Sequence, residues 1–287
     1  MRTATEKRKL LRELMAGPNM LLAPACGMPI TARLVEDAGF PAIHGAGSVA
    51  HQISCYADAG LLTMTEMIGR IVGLADAVDI PVIADADTGF GNVANVIRTV
   101  KEYERAGAAA LHIEDTASKA PFGADHATPV ISRREMVNKI RAAVDARTDE
   151  SMIIIARSEA RSDLNEFIAR MVECVEAGAD ACWTSGAIGE AGVQALRKVV
   201  AKPFLGVLPR GLTGNDFHAW GVSCAVIPGA MELAALHAQR QLLAELKTNG
   251  SPAGYFDSLA GIEDTRRFAG RQGKAEYDAI MERFGGE

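Results

Sequence analysis

The sequence lacks the long apolar run that a membrane-spanning helix needs. No stretch approaches the ~20 consecutive apolar residues required, so we expect no transmembrane segment. The formal net charge is −6 and no basic stripe is present, which argues against duplex nucleic acid as a partner. The first 15 residues are charged and favour an amphipathic helix over a signal peptide. We therefore expect a cytoplasmic protein.

The cysteine content lacks the patterns of disulfide frameworks and of zinc sites. The number of cysteines is odd, five, and no pair has Cys-x-x-Cys spacing. Free thiols in a reducing compartment are the expected state. Because no cluster of histidine and cysteine occurs, zinc is also disfavoured relative to a harder cation.

Aromatic residues are scarce, at 5% of the chain, although 48% is hydrophobic, so the apolar content is mostly Ala, Val, Ile and Leu. This composition suits packed helices with buried parallel strands and argues against disorder. Short apolar runs alternate with longer helical patterns. The predicted strands are 20–24, 42–45, 82–85, 110–114, 152–157, 181–184, 204–207 and 225–228. The predicted helices are 30–38, 63–78, 93–106, 133–146, 164–177, 189–200, 213–220 and 231–247.

Eight alternating strands and helices predict one (β/α)8 barrel. Four of the helices end in glycine just before the next strand, as expected for helix C-caps: Gly39, Gly107, Gly178 and Gly221. The alternative is an open doubly wound sheet, but no dinucleotide-binding glycine fingerprint follows the first strand. We predict a single domain over 1–287, with an N-terminal helix, the barrel at about 18–247 and a helical tail at 251–287.

Acidic residues follow two neighbouring strands at the end where barrel enzymes carry their active sites. Asp85 and Asp87 end the third predicted strand and Glu114 ends the fourth, while Asp58 follows the second on a loop. Carboxylates that converge repel one another unless a cation lies between them. A hard divalent cation such as Mg²⁺, with Mn²⁺ as an alternative, fits oxygen ligands. Helix capping and salt bridges are the competing interpretation of these residues.

Two further features suggest an anionic ligand. Arg157 ends a buried strand, where it needs an anion as partner. That anion is either a substrate carboxylate or, in a structural ion pair, Glu114 or Glu159. The small residues at 45–48, with the amides of Gly47 and Ser48, provide a weak signal for a carboxylate cradle.

Three motifs in order carry a resemblance to a known family. They are DADTGFGN at 85–92, LHIED at 111–115 and IAR at 155–157. Together they resemble the isocitrate lyase/phosphoenolpyruvate mutase superfamily over nearly the whole chain. The resemblance implies a barrel with Mg²⁺ at Asp85, with Asp58, Asp87 and Glu114 reaching the ion mostly through water, and Arg157 on the substrate. It also implies a homotetramer in which the eighth helix is swapped between subunits.

The loop after Asp115 separates this chain from some branches of that family. The carbon–carbon lyases carry a Lys-Lys/Arg-Cys-Gly-His loop whose cysteine is the general acid, whereas residues 116–126 here read TASKAPFGADH. The asparagine of the phosphonopyruvate-type loop is not evident either. The pattern EDT…PFG, with GSVA at 47–50, is most similar to the oxaloacetate decarboxylase branch. The tyrosine and histidine of that branch are absent from 207–210 and 228–230.

The resemblance implies decarboxylation of oxaloacetate or a close 2-oxo diacid, with a Lewis-acid cation stabilising an enolate. A carbon–carbon lyase acting on a 2-hydroxy diacid, of the methylisocitrate or dimethylmalate type, is one alternative. A phosphonopyruvate-processing member and a non-catalytic binding member are the others. His126 and Cys55 are candidate proton donors, with a surface histidine and a buried thiol as the simpler readings. Arg210 is a candidate substrate contact, or else a surface arginine.

Overall fold

The computed structural model of the protein describes residues 1–117 and 129–285. The strands are β1 (Leu21–Pro24), β2 (Ile43–Gly45), β3 (Val82–Asp85), β4 (Ala110–Glu114), β5 (Ile153–Arg157), β6 (Ala181–Thr184), β7 (Phe204–Val207) and β8 (Cys224–Ile227). The helices are α1 (Ala4–Ala16), α2 (Pro29–Asp37), α3 (Gly47–Ile53), α4 (Met64–Ala77), α5 (Val93–Arg105), α6 (Arg133–Ala146), α7 (Leu164–Glu176), α8 (Gly189–Arg197), α9 (Gly214–Ala219), α10 (Ala230–Asn249), α11 (Ala253–Asp257), α12 (Ile262–Arg271) and α13 (Lys274–Phe284).

The eight strands are parallel and follow one another around a barrel. They pair in the order β1-β8-β7-β6-β5-β4-β3-β2. A parallel bridge between Ala25 and His44 joins the two ends of that order. The prediction of a (β/α)8 barrel is confirmed, and the open doubly wound alternative is wrong. The bounds of the predicted strands and helices differ from the observed ones by no more than three residues, and several are identical. The helix α3 was not predicted from the sequence.

Alternation along the strands determines what fills the barrel. Successive side chains of a strand point to opposite faces, so every second residue points inward. One buried cluster, made largely of such residues, includes Ile83, Ile155, Trp183 and Leu205. The larger cluster lies between the strands and the surrounding helices. The inner set is apolar toward the N-terminal ends of the strands and becomes polar toward their C-terminal ends, as the residues of β3, β4 and β5 show.

The first helix closes the N-terminal end of the barrel. It begins with a capping box between Thr3 and Glu6. Leu11 and Met15 are buried in the inner cluster. Lys7 Nζ donates to the carbonyls of Ala75 and Val78 at 2.8 and 2.6 Å, so this buried cation is satisfied by backbone oxygens at the C-terminal end of α4. The predicted N-terminal helix is confirmed.

The chain divides into two compact units, Met1–Glu232 and Leu233–Glu287. The first contains the barrel. The second contains most of α10, with α11, α12 and α13, and carries exposed large apolar side chains: Leu233, Leu236, Leu243, Leu246, Tyr277, Ile280, Met281 and Phe284. The predicted helical tail is present, while the single-domain assignment stays a prediction. Among the described residues, the helices include none that combines the length and apolarity needed to cross a bilayer.

Candidate active site

Three charged side chains occupy the last inward positions of adjacent strands. Asp85 ends β3, Glu114 ends β4 and Arg157 ends β5. The two acidic residues are buried, with 3% and 1% of their surface exposed. Strand register places Glu114 directly beside Arg157. Because all strands are parallel, these groups meet at the C-terminal mouth of the barrel, where barrel enzymes carry their chemistry.

The Asp85 carboxylate is held by two backbone amides. The N–H of Gly47 donates to Oδ2 at 3.0 Å and the N–H of Asp87 donates to Oδ1 at 2.9 Å. The phenol of Tyr103 donates to the backbone carbonyl of Asp85 at 2.8 Å, so the strand end is fixed as well. The carboxylate therefore has a defined orientation before any ligand arrives.

The guanidinium of Arg157 lies among three carboxylates, those of Asp85, Glu114 and Glu159. Its Nη2 lies 3.0 Å from Glu114 Oε2, its Nη1 lies 3.8 Å from Asp85 Oδ2, and its Nε donates to Glu159 Oε1 at 2.9 Å. Burial opposes the charge of Arg157, but these three carboxylates outweigh burial and raise its pKa above the usual range. The interpretation of Arg157 as a structural ion-pair partner is thus confirmed for Glu114 and Glu159. Contact with a substrate stays a prediction.

Asp87 adopts a backbone conformation that is unusual for its residue type. Its φ is 50°, in the left-handed region, where a non-glycine residue is strained. This turn lets its N–H reach Asp85 while its carbonyl accepts the N–H of Glu114 at 2.8 Å. The helix that follows is capped by Asn92, so the helix-cap interpretation of Asp87 is wrong.

A cavity of about 670 Å³ opens beside this turn. It is lined in part by Asp87, Phe90 and Arg98, and by Leu62 from the connection between α3 and α4. Such a volume is large enough for a small organic acid. Apolar and charged groups both face it, which suits an anion with a short carbon skeleton.

Asp58 is tied to the same region through a buried histidine. His51 Nε2 accepts the N–H of Leu62 at 3.2 Å, so Nδ1 carries the proton of the neutral ring. That nitrogen lies 2.8 Å from the carbonyl of Gly47 and 3.4 Å from Asp58 Oδ1. Gly47 thus links Asp58 to Asp85, since its carbonyl faces His51 and its amide binds the Asp85 carboxylate.

The donor set fits a hard divalent cation. Asp85, Glu114 and Glu159 supply three carboxylates around the guanidinium of Arg157, and the buried Asp87 follows two residues after Asp85. Oxygen donors of this kind suit Mg²⁺. Within residues 1–117 and 129–285, no group of three His, Cys, Asp or Glu side chains forms a ready-made metal site. A cation here would need water for most of its remaining ligands, which Mg²⁺ ordinarily retains.

The remaining predicted residues lie in different places. Ser48 is the second residue of α3 and is exposed, so the segment predicted as a carboxylate cradle connects the end of β2 to the start of a helix. Arg210 is exposed in the turn after β7. Cys55 is exposed after α3 with a φ of 57°, so the expectation of a buried thiol is wrong. His126 lies outside the described residues.

Three inward-facing residues beneath the acidic groups were not predicted from the sequence to be part of the site. His44 on β2, His112 on β4 and Trp183 on β6 are 3%, 0% and 2% exposed. Each follows the alternation that also places Glu114 and Arg157 inward. The alternation along a strand could have identified His112, because it lies two residues before Glu114 on the same strand and therefore points the same way.

Replacing Gly47 with alanine is expected to lower kcat/KM by roughly 10- to 100-fold, because sub-ångström errors in catalytic geometry have effects of this size. A Cβ at this position would lie 2.7 Å from Asp85 Oδ2, so the carboxylate would have to move off the amides that hold it. Gly69→Ala is the matched control, since nothing lies within 4 Å of its Cβ. Equal kcat/KM values for the two variants would show that this contact does not position Asp85.

Comparison with known proteins identifies close relatives. The family model described as phosphoenolpyruvate phosphomutase matches residues 11–247. A 2,3-dimethylmalate lyase from Eubacterium barkeri is 35% identical over 88% of this chain and 91% of its own. An oxaloacetate decarboxylase from Rhodopseudomonas palustris is 37% identical over 86% of each chain. A phosphonopyruvate hydrolase, solved in complex with oxalate and Mg²⁺, superimposes with a TM-score of 0.86 at 29% identity, covering 99% of this chain and 100% of its own.

Proposed function

Because the chain belongs to the phosphoenolpyruvate mutase/isocitrate lyase superfamily, we propose that it is a Mg²⁺-dependent lyase for a small 2-oxo or 2-hydroxy carboxylic acid. Decarboxylation of oxaloacetate is the first candidate reaction. The observation that carries the proposal is the convergence of Asp85 and Glu114 on the Arg157 guanidinium at the barrel mouth. The oxalate and Mg²⁺ in the phosphonopyruvate hydrolase support the ligand class.

Asp85, Asp87 and Glu114 are the residues that we assign to the cation, and Mn²⁺ is an acceptable replacement for Mg²⁺. When bound, the cation would act as a Lewis acid and lower the energy of negative charge that develops on the 2-oxo oxygen. The amides that fix Asp85 would keep that ligand in place without reorganisation during the reaction.

The protein's own groups would bind and orient the substrate. We assign the substrate's proximal carboxylate to the turn at Gly47 and Ser48, where α3 begins. The amide of Gly47 donates to Asp85, so the amide of Ser48 is the donor that we assign to the substrate. The positive charge of Arg157 would balance the negative charge of the substrate. Arg210 is the candidate contact for an additional acidic group. The guanidinium of Arg157 is already in place beside the fixed carboxylate of Asp85, and this arrangement would orient a 2-oxo acid for bond cleavage.

In the proposed reaction, the bond between C3 and the distal carboxylate breaks. Its electron pair passes into the C2–C3 enolate, and CO₂ leaves. The enolate then takes one proton at C3, which gives pyruvate from oxaloacetate. Asp58, whose Oδ1 lies 3.4 Å from His51 Nδ1, is the assigned acid–base group, and Cys55 and His126 stay candidate proton donors.

A carbon–carbon lyase acting on a 2-hydroxy diacid is the second candidate. The similarity to 2,3-dimethylmalate lyase over 91% of that protein favours it. The absence of a cysteine from residues 116–126 weighs against the usual route, because no thiol acid is available there. Enolate stabilisation is common to both candidates, so substrate tests rather than site geometry must separate them.

An assay panel tests the proposal. Oxaloacetate, methylisocitrate, dimethylmalate and phosphonopyruvate would each be incubated with the protein and Mg²⁺. CO₂ release from oxaloacetate well above the rate with Mg²⁺ alone is the expected result. Cleavage of a hydroxy diacid instead would establish the second candidate. No turnover of any of the four acids, with Mn²⁺ still bound, would favour a binding protein and contradict the lyase proposal.

The assembly and location are also proposals. We propose a homotetramer in which α10 packs on a neighbouring subunit, supported by the exposed leucines of that helix, Leu233, Leu236, Leu243 and Leu246. We propose a cytoplasmic location, supported by five free cysteines. Light scattering of the purified protein tests the first of these proposals.

A further inference from the structure

Two buried histidines contact each other inside the barrel, beneath the candidate site. His44 extends from β2 and His112 from β4, and their Nε2 atoms are 3.0 Å apart. Both rings are almost fully buried. At this separation one nitrogen must carry a proton and the other must accept it, because two N–H groups cannot face each other. The contact therefore couples the tautomers of the two rings.

The surroundings of His44 favour one of the possible arrangements. Burial lowers the pKa of His44 to about 4; the positive charge of Arg157 acts in the same direction, and Asp85 opposes it, so the ring is neutral at pH 7. Its Nδ1 has no hydrogen-bond partner among the described residues. A proton on Nδ1 would therefore be a buried N–H without an acceptor, which is unfavourable. The proton belongs on Nε2, from which His44 donates to His112.

The other side of His112 faces the proposed metal ligand. If His112 accepts at Nε2, its neutral ring carries the proton on Nδ1, and Nδ1 lies 3.6 Å from Asp85 Oδ1. That separation is too long for a hydrogen bond but short enough for the N–H dipole to attract a carboxylate. The opposite tautomer would turn a lone pair toward the same negative charge, which is unfavourable. A doubly protonated His112 would force the proton of His44 onto the unpartnered Nδ1.

Trp183 fixes the orientation of both rings. Its ring lies edge-on to His44 and His112, with centroid separations of 5.1 and 4.0 Å. The Arg157 guanidinium lies 5.1 Å from the centre of the same indole ring. The imidazole pair therefore has little freedom to rotate away from Asp85.

We infer that His44 is a positioning residue, which holds His112 in the Nδ1–H tautomer so that an N–H dipole points at Asp85 from inside the barrel. Its consequence for catalysis rests on the metal role proposed for Asp85. The ring of His112 would then help to orient the carboxylate, in addition to the amides of Gly47 and Asp87. This contribution of His112 depends on His44, which lies outside the three family motifs.

Nitrogen-15 NMR of histidine-labelled protein tests the tautomers directly. Signals would be assigned with the variants His44→Gln and His112→Asn. The expected result is protonated Nε2 on His44 and protonated Nδ1 on His112. A proton on Nε2 of His112, alone or together with one on Nδ1, would overturn the inference.

Mn²⁺ titration followed by electron paramagnetic resonance tests the effect on the site. His44→Phe removes the donor and is expected to weaken Mn²⁺ binding by roughly 10-fold, the lower end of outer-shell effects. His44→Gln keeps an N–H in a similar place and is expected to bind Mn²⁺ within about 3-fold of wild type. Equal affinities of the Phe and Gln variants would contradict the positioning role. If His44→Phe does not fold, the nitrogen-15 spectrum of the wild-type protein, assigned with His44→Gln, still tests the tautomers of the two histidines.

Failure of the proposed function gives a different pattern of results. Wild-type protein that binds Mn²⁺ but cleaves none of the four acids removes the proposed reaction and leaves the titration valid. Wild-type protein that binds no Mn²⁺ removes the metal role. The tautomer of His112 alone then upholds or overturns the inference.

Discussion

Asp85→Asn is expected to lower kcat/KM by about 10³-fold or more, which corresponds to ~4 kcal/mol of transition-state stabilisation. The variant keeps the shape of the side chain but loses the negative charge that would hold the cation. It also presents an NH₂ group to one of the two amides that now donate to the carboxylate, which costs about 1 kcal/mol of folding stability. Steady-state kinetics on the acid identified in the assay panel, together with Mn²⁺ titration, would measure both effects.

Asp145→Asn is the control for this variant. Asp145 is exposed on α6, so its replacement removes the same charge from the protein without affecting the barrel mouth. Its kcat/KM and Mn²⁺ affinity are expected to match those of wild type. If Asp85→Asn kept a tenth or more of wild-type activity with unchanged Mn²⁺ affinity, Asp85 would not be a metal ligand.

Arg157→Met is expected to destabilise the protein by about 3–5 kcal/mol, in addition to abolishing activity. Methionine fills the space, but it leaves the buried carboxylates of Glu114 and Glu159 without the cation that now bridges them. Urea unfolding monitored by circular dichroism would measure the loss. A destabilisation below ~1 kcal/mol would mean that these carboxylates find other partners or become protonated at little cost.

The destabilisation should depend on pH. Burial opposes the ionised form of Glu159, but Arg157 and the hydroxyl of Ser185 outweigh burial and hold its pKa below the usual range. In wild type, ionised Glu159 therefore stabilises the fold above the unfolded pKa of ~4.3, and this contribution is lost as pH falls through the lower folded pKa. Without Arg157 the balance shifts toward burial, so ionisation of Glu159 becomes less favourable in the folded state. The difference between wild type and variant should thus be larger at pH 8 than at pH 5.

Arg161→Met provides the matched control for that experiment. Arg161 also contacts Glu159, but its side chain is 46% exposed. Exposed ion pairs contribute about 0–1 kcal/mol, so this variant should lose little stability and show a weaker dependence on pH. Similar losses in the two variants would show that burial of Arg157 does not determine the effect.

The barrel could be predicted because its strands are short apolar runs with clear ends. The positions of Asp85, Glu114 and Arg157 followed from those ends, since parallel strands bring their C-terminal residues to one mouth. The helix α3 was missed because it has seven residues, too few for helical periodicity, and begins in a run of small residues that is typical of turns.

The contacts among His44, His112 and Trp183, which lie below the acidic residues inside the barrel, could not be predicted without the register of the strands. A single histidine in an apolar strand, such as His44, is indistinguishable from an ordinary core residue until its neighbours across the barrel are known. The contact between His44 and His112 joins strands that are separated by β3, and nothing local to either strand encodes it. The left-handed backbone of Asp87 was equally hidden, because Gly89 and Gly91, which follow it, are the residue type that ordinarily adopts this conformation.

The helix α1 closes the N-terminal end of the barrel, so truncation of the protein from its N-terminus would expose buried residues. A truncated protein that starts at Pro18 would lose Leu11 and Met15, and its apolar interior would be exposed to water at the N-terminal end of the barrel. It would also strip the carbonyls of Ala75 and Val78 of the Lys7 ammonium. Thr3 is exposed, so an affinity tag fused ahead of it has room to extend into solvent, whereas removing the helix itself invites aggregation.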